Sequence, residues 1–234
     1  MEHKSTLKTY FPFGPPIGYA KLPKELLNDL NKGCDDIVKD KKRSKLLDNS
    51  QYLVGQVEQE LLIPKDIINK WGKWFGTQVR AYVSGFLDQY ELPEQNVLKA
   101  SKEKTAQAIK KIHTNAKSGW YVRSFAGDYN PIHTHTDCEL TCVGFLKVPD
   151  LSQERKKTPQ SERPNGVLEI LSNTGSTDNL SWEKDSIGFV PKVGNWYLFP
   201  ANLRHTVYPF RCDGERRSFS INMNTNMFKS PSEK

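Results

Sequence analysis

Hydrophobic positions along the chain change their period near residue 118. Before it the spacing is helical. Leu22, Leu26, Leu27, Leu30 and Ile37 recur at helical intervals behind Pro23, a residue suited to a first turn. A second stripe starts at Pro64 and takes in Ile67, Ile68, Trp71, Trp74, Phe75, Val79, Tyr82, Val83 and Phe86. It predicts a helix of about six turns whose broad apolar face packs against the outside of a sheet. Gly72, Gly76 and Gly85 weaken that helix and blur its limits.

Beyond residue 118 the apolar runs become short. Segments 120–125, 140–148, 166–171, 195–199 and 217–222 are rich in aromatic and β-branched residues, and Gly, Pro, Asn and Asp separate them. Short strands with turn signals and no intervening helical pattern predict a β-sandwich or barrel. The chain is therefore expected to be mainly β with α. Residues 1–117 form a helical region packing on the barrel, residues 118–228 form the barrel, and the two make one integrated domain. Segment 150–165, with its Ser, Lys, Arg, Gln and two prolines, reads as an exposed, mobile loop of the lid or binding-loop kind.

Composition narrows this picture. With 234 residues, 36% hydrophobic and 26% charged, the chain suits a globular domain in water. No run approaches the ~18 apolar residues of a membrane span. Met1-Glu-His-Lys-Ser-Thr has no apolar signal core, so a cytoplasmic location is expected. None of Cys34, Cys138, Cys142 and Cys212 forms a C-x-x-C pair, and all four read as free thiols. A net charge of +7 raises the possibility of a nucleic-acid partner, but the basic runs at 39–45 and 154–157 are scattered. They read as solvated faces, and direct nucleic-acid binding is the weaker reading.

Candidate chemistry sits in the strand-rich half. His133 and His135 are two apart, so on one strand both can reach a single ion; His135 and Asp137 could do the same. A strand and turn from Gly194 then lead to His205, which supplies a distant third ligand. Such a set leaves coordination positions open for substrate and O₂. His3 and His113 lack this context. Further on, Arg216, Ser218, Ser220 and Asn222 alternate along one strand face. An inward arginine needs an anion, and a small dicarboxylate gripped by Arg216 and Ser218 fits. Phe145, Trp196 and Tyr121 are candidates for a dry wall around the site.

H-x-H/D, a distal histidine and R-x-S about ten residues later together resemble the Fe(II)/2-oxoglutarate-dependent dioxygenases. The run 130–149, with its N-P-x-H-x-H pattern and closing K-x-P, resembles a prolyl-hydroxylase-related branch found in bacteria and phages. The resemblance covers roughly residues 118–226. It implies a double-stranded β-helix, or jelly roll, with Fe(II) held at His133 and His205. It also implies 2-oxoglutarate as cosubstrate, with Arg216 and Ser218 on its far carboxylate. The implied reaction is hydroxylation of an unidentified substrate by O₂, releasing succinate and CO₂. The family's usual second ligand is a carboxylate, whereas this chain has His135. Two ligand sets stay open, His133/His135/His205 and His135/Asp137/His205; Gly127, six residues before His133, favours the first. The spacing Gly127-x5-His133-x-His135-x3-Glu139 with Gly194-x5-Pro200-x4-His205 also resembles the cupin motifs. In that reading Glu139 joins the histidines and no 2-oxoglutarate is needed. A non-enzymatic jelly-roll binding module is the third reading.

Overall fold

The strand-rich half pairs into two antiparallel sheets that face each other across a cavity. The structure is a computed structural model that describes residues 5–10, 14–52, 55–90, 102–152, 154, 165–171 and 186–226. In chain order the strands are β1 (Lys8–Tyr10), β2 (Ile17–Lys21), β3 (Gln59–Leu62), β4 (Thr114–Ser124), β5 (Asn130–His133) and β6 (Leu140–Lys147). They continue with β7 (Leu168–Leu171), β8 (Ser186–Phe189), β9 (Asn195–Pro200), β10 (His205–Val207) and β11 (Arg216–Thr225). The larger sheet has seven strands in the order β1-β2-β9-β6-β11-β4-β3, and the smaller has four in the order β5-β10-β7-β8. Consecutive strands from β4 to β11 largely cross from one sheet to the other, which makes the core jelly-roll-like.

Alternation sorts the side chains of the large sheet. Tyr121, Cys142, Leu146, Trp196, Leu198, Phe219 and Ile221 join a buried cluster with the helices on the outer face. Val143, Phe145, Tyr197 and Phe199 turn inward to meet Leu168 and Ile170 of the small sheet. Strand geometry sets this two-residue period.

Helix α1 (Lys24–Lys39) starts after Pro23 and buries Leu26, Leu30, Cys34 and Ile37. Its last residue is followed by Asp40, whose carboxylate accepts from the amides of Lys42 and Arg43 and so caps α2 (Lys41–Leu46). Helix α3 (Lys65–Tyr90) starts after Pro64, with Asp66 in its first turn. Its Trp74 packs edge-on against Trp196, 5.1 Å between ring centres. A short α4 (Lys102–Lys110) leads into β4. No helix of the described residues is long and apolar enough to cross a membrane.

The region before residue 118 is not purely helical. Strands β1 and β2 extend one edge of the large sheet and β3 the other. These strands have three to five residues, too short for periodicity to distinguish them from loop. Trp196 and Tyr121 lie on the helix side, so of the three aromatic residues expected around the site only Phe145 faces the interior. All four cysteines are free. Most of segment 150–165 lies outside the described residues, but Glu154 is buried and accepts from the amides of Arg211 and Cys212.

Gly144 in β6 lies opposite Phe219 in β11, and a Cβ added there would come within 2.1 Å of that ring. Gly144→Ala is therefore expected to destabilise the protein by roughly 1–3 kcal/mol. Urea unfolding reads the loss, and adding Phe219→Leu should recover part of it because the two sites share one space. An unchanged midpoint for Gly144→Ala would contradict this packing.

Candidate active site

Three histidines converge between the sheets. Antiparallel pairing of β5 with β10 sets His133 directly opposite His205. Strand β5 ends at His133, so His135 does not reach the site by strand alternation. Its amide donates to the Ala201 carbonyl at 2.9 Å, which fastens the segment to the turn before β10. The Trp120 ring stacks on the His135 imidazole, centres 5.5 Å apart. One nitrogen from each of His133, His135 and His205 lies within 4.8 Å of the others.

Hydrogen bonds orient each ring. Nδ1 of His133 meets the Pro131 carbonyl at 2.7 Å, and Nδ1 of His205 meets the Leu203 carbonyl at 2.9 Å. Nδ1 of His135 meets Asn222 Oδ1 at 2.9 Å. Each acceptor is an oxygen, so each Nδ1 carries the proton and each Nε2 presents a lone pair. Burial lowers the His133 pKa and pushes His135 and His205 down to about 4 and about 3, so all three rings are neutral at pH 7. The Nε2 atoms of His135 and His205 stand 3.3 Å apart. Two nitrogens bound at right angles to one ion, with bonds near 2.1 Å, stand about 3 Å apart. Neutral imidazoles with paired lone pairs, each held from behind by an oxygen, are the donor set of a first-row dication.

Asp137 is not brought to this cluster. It is exposed, at a left-handed φ of 58°. Glu139 is also elsewhere, its Oε2 accepting from the amide and hydroxyl of Thr225 at 2.8 and 2.6 Å. His113 is exposed, and His3 lies outside the described residues.

Beside the histidines is a cavity of about 260 Å³ that also takes in Arg216, Ser218, Ser220, Asn222, Val143 and Leu168. Arg216 is 1% exposed. Its Nε donates to the Gly166 carbonyl at 3.2 Å, and its Nη1 lies 3.5 Å from Ser218 Oγ. The guanidinium lies over the Phe145 ring, 5.0 Å from its centre. Among the described residues Nη2 has no partner and no carboxylate pairs with the group. Burial pushes its pKa down to about 10, still well above neutrality, so a positive charge is held in a dry place without a counter-ion.

A sequence model of the 2OG-Fe(II) oxygenase family matches residues 118–222, the stretch from β4 to β11 that builds this site. That stretch is therefore similar to the 2OG-Fe(II) oxygenases. Among solved structures, a prolyl-4-hydroxylase from Pseudomonas putida is 13% identical with a TM-score of 0.54, covering 89% of this chain and 91% of its own. AviO1 from Streptomyces viridochromogenes is 11% identical with a TM-score of 0.52, covering 93% of this chain and 92% of its own. Both share the fold. No curated protein matches the sequence. The match and the three-histidine cluster together point to an enzyme that uses Fe(II) and 2-oxoglutarate.

Side chains outside the sequence motifs complete the surroundings of the histidine cluster. Trp120 and Asn222 set the His135 ring, and Thr141 Oγ1 donates to the same Asn222 oxygen at 3.1 Å. Asn222 was visible only as a member of the Arg216 face. Trp120 could have been suspected from its place at the start of a strand. Glu60, from β3, lines the same cavity and carried no signal in the sequence. It is 4% exposed, and burial raises its pKa to about 7; the Asn49 hydrogen bond opposes that rise and nearby Asp48 adds to it. The folded protein therefore holds the Glu60 proton more tightly than the unfolded chain does, and wild type loses stability as pH rises from about 4.5 through 7. Glu60→Gln in the metal-free protein should match wild type in urea unfolding near pH 4.5. At pH 8 it should be more stable by on the order of 2–3 kcal/mol. Equal midpoints at both pH values would show that the carboxyl is not desolvated.

Proposed function

We propose that His133, His135 and His205 hold Fe(II) through Nε2, and that Arg216 and Ser218 hold the far carboxylate of 2-oxoglutarate. The enzyme then hydroxylates a substrate, with release of succinate and CO₂. The observation that carries this reading is the placement of three neutral, outward-anchored imidazoles beside a buried guanidinium with an unmatched Nη2. Bound Fe(II) supplies the centre at which O₂ and the keto acid react, with insertion of one oxygen atom into a substrate C–H bond.

The chain's own residues position and protect. Carbonyls of Pro131 and Leu203 and the amide oxygen of Asn222 keep the three ring protons on Nδ1. Arg216 aims its free Nη2 at an anion while Gly166 fixes the other side of the guanidinium. Val143, Leu168 and Phe145 keep water from the space between. With His135 in the second position, all three protein ligands are neutral. The keto-acid carboxylate of 2-oxoglutarate would then offset part of the metal's charge, while the far carboxylate meets the arginine. The helices α1 and α3 brace the large sheet from behind, so residues 1–117 and 118–228 act as one unit.

The cupin-like alternative needs Glu139 among the ligands, and Thr225 occupies that carboxylate. A simple binding module leaves the converging lone pairs without a purpose.

Anaerobic addition of Fe(II) and then 2-oxoglutarate should produce the weak visible charge-transfer band of a keto acid chelated to iron. His133→Ala, His135→Ala and His205→Ala should each abolish it, and Asp137→Ala should leave it intact. Arg216→Ala should raise the 2-oxoglutarate concentration needed by ~10-fold or more, the loss of a charge-assisted pair. Iron binding with no band in wild type would sink the cosubstrate assignment. Loss of the band in Asp137→Ala would restore the other ligand set.

A further inference from the structure

Two residues lining the cavity carry a buried polar atom with no hydrogen-bond partner among the described residues: Arg216, through Nη2, and Glu60, through Oε2. They have opposite charge and do not satisfy each other. The cosubstrate accounts for the first and leaves the second unexplained.

Glu60 is held firmly. Its Oε1 accepts from Asn49 Nδ2 at 2.7 Å, its carbonyl accepts from the Asn49 amide at 2.9 Å, and its amide donates to Ser50 Oγ at 3.1 Å. Register places it on the inner face: Glu60 pairs with Val122, Val122 with Ser218, and Ser218 with Phe145. Strands lie about 4.8 Å apart, so Glu60 stands roughly 10 Å from Ser218 along the same row. This is the β3 edge of the cavity, on the far side of β4 from the Arg216 and Ser218 pair. No Lys or Arg among the described residues pairs with it. Arg123, its nearest basic neighbour in β4, turns to the outer face and is taken up by Glu215 and Gln59.

A carboxylate that is desolvated, oriented by one hydrogen bond and left with its second oxygen unmatched is costly by itself. A cation restores what burial removes, and a neutral donor restores less. We propose that Glu60, oriented by Asn49, is a substrate-recognition residue that receives a cationic nitrogen group of the substrate, a guanidinium or ammonium, at the β3 side of the cavity. The inference rests on the oxygenase reading for the identity of the cavity. It adds the chemical class of the substrate: a molecule or peptide side chain with a positive nitrogen near the carbon to be hydroxylated.

The test uses the full chain with Zn(II) as a redox-silent ion and 2-oxoglutarate present, titrated with N-acetyl-arginine amide, N-acetyl-lysine amide and the neutral N-acetyl-citrulline amide, with binding read by NMR. Wild type should bind the arginine or lysine probe about tenfold or more tightly than citrulline. Glu60→Gln, which keeps the shape and removes the charge, should reduce the preference to about twofold or less, and Glu60→Asp should recover part of it. Equal binding of charged and neutral probes, no binding of any, or a preference that survives Glu60→Gln would overturn the proposal. Binding of 2-oxoglutarate is read in the same samples. If the cosubstrate binds and the preference is absent, this inference alone fails. If the cosubstrate does not bind, the oxygenase assignment of the cavity fails, whatever the probes do.

Discussion

Strand β11 lies between β4 and β6 and pairs with both along most of its length. Its even-numbered residues from Arg216 to Asn222 face the cavity, and Arg217, Phe219 and Ile221 face the helices. A slip of one residue in this register would send Arg216 to the outside and Phe219 into the cavity. It would also withdraw Asn222 from His135. One strand therefore carries Arg216 and Ser218, the orientation of one imidazole and a large part of the outer core. Its register is secured on the outer face. Arg217 meets Glu215 through two contacts, at 2.8 and 3.0 Å, and reaches Asp35 of α1 at 2.8 Å. Burial opposes ionisation of Glu215, but Arg217 and Arg123 outweigh it and hold its carboxyl below the usual value. A β-bulge at Lys117 of β4 follows the pairing of Asn222 with Ser118, and Met223 still joins the outer cluster.

The interior is arranged around polar groups whose partners are not among the described residues. Three imidazoles are kept neutral by burial and oriented by oxygens behind them, a guanidinium keeps an unmatched Nη2, and a carboxyl group keeps an unmatched Oε2. Unmatched buried groups are costly, and the proposed dication, dicarboxylate and cationic nitrogen are each of the sign that would relieve one of these sites. The stability given up at these positions is supplied by the apolar clusters on either side of the large sheet. Around Trp196, Trp74 and Phe75 make a rigid backing for β9, which leads through a short turn to His205.

The chain's linear pattern determined much of this. The apolar stripes behind Pro23 and Pro64 became α1 and α3, because helical periodicity over many residues has few competing explanations. The aromatic and β-branched runs became β4, β6, β7, β9 and β11. His133, His135, His205, Arg216 and Ser218 could be singled out because their chemistry is uncommon on an inward strand face. Tertiary structure alone decided the rest. Strands β5, β8 and β10 have three or four residues, too few to show a period, and exist because a partner strand pairs with them. That Asp137 is exposed at a left-handed φ while His133 joins the histidine cluster follows from the backbone path and not from residue spacing. Trp120 against His135, and Glu60 in the wall, join residues far apart in the chain. Local periodicity is written in neighbouring residues, whereas these contacts follow from sheet register, which depends on the whole chain at once.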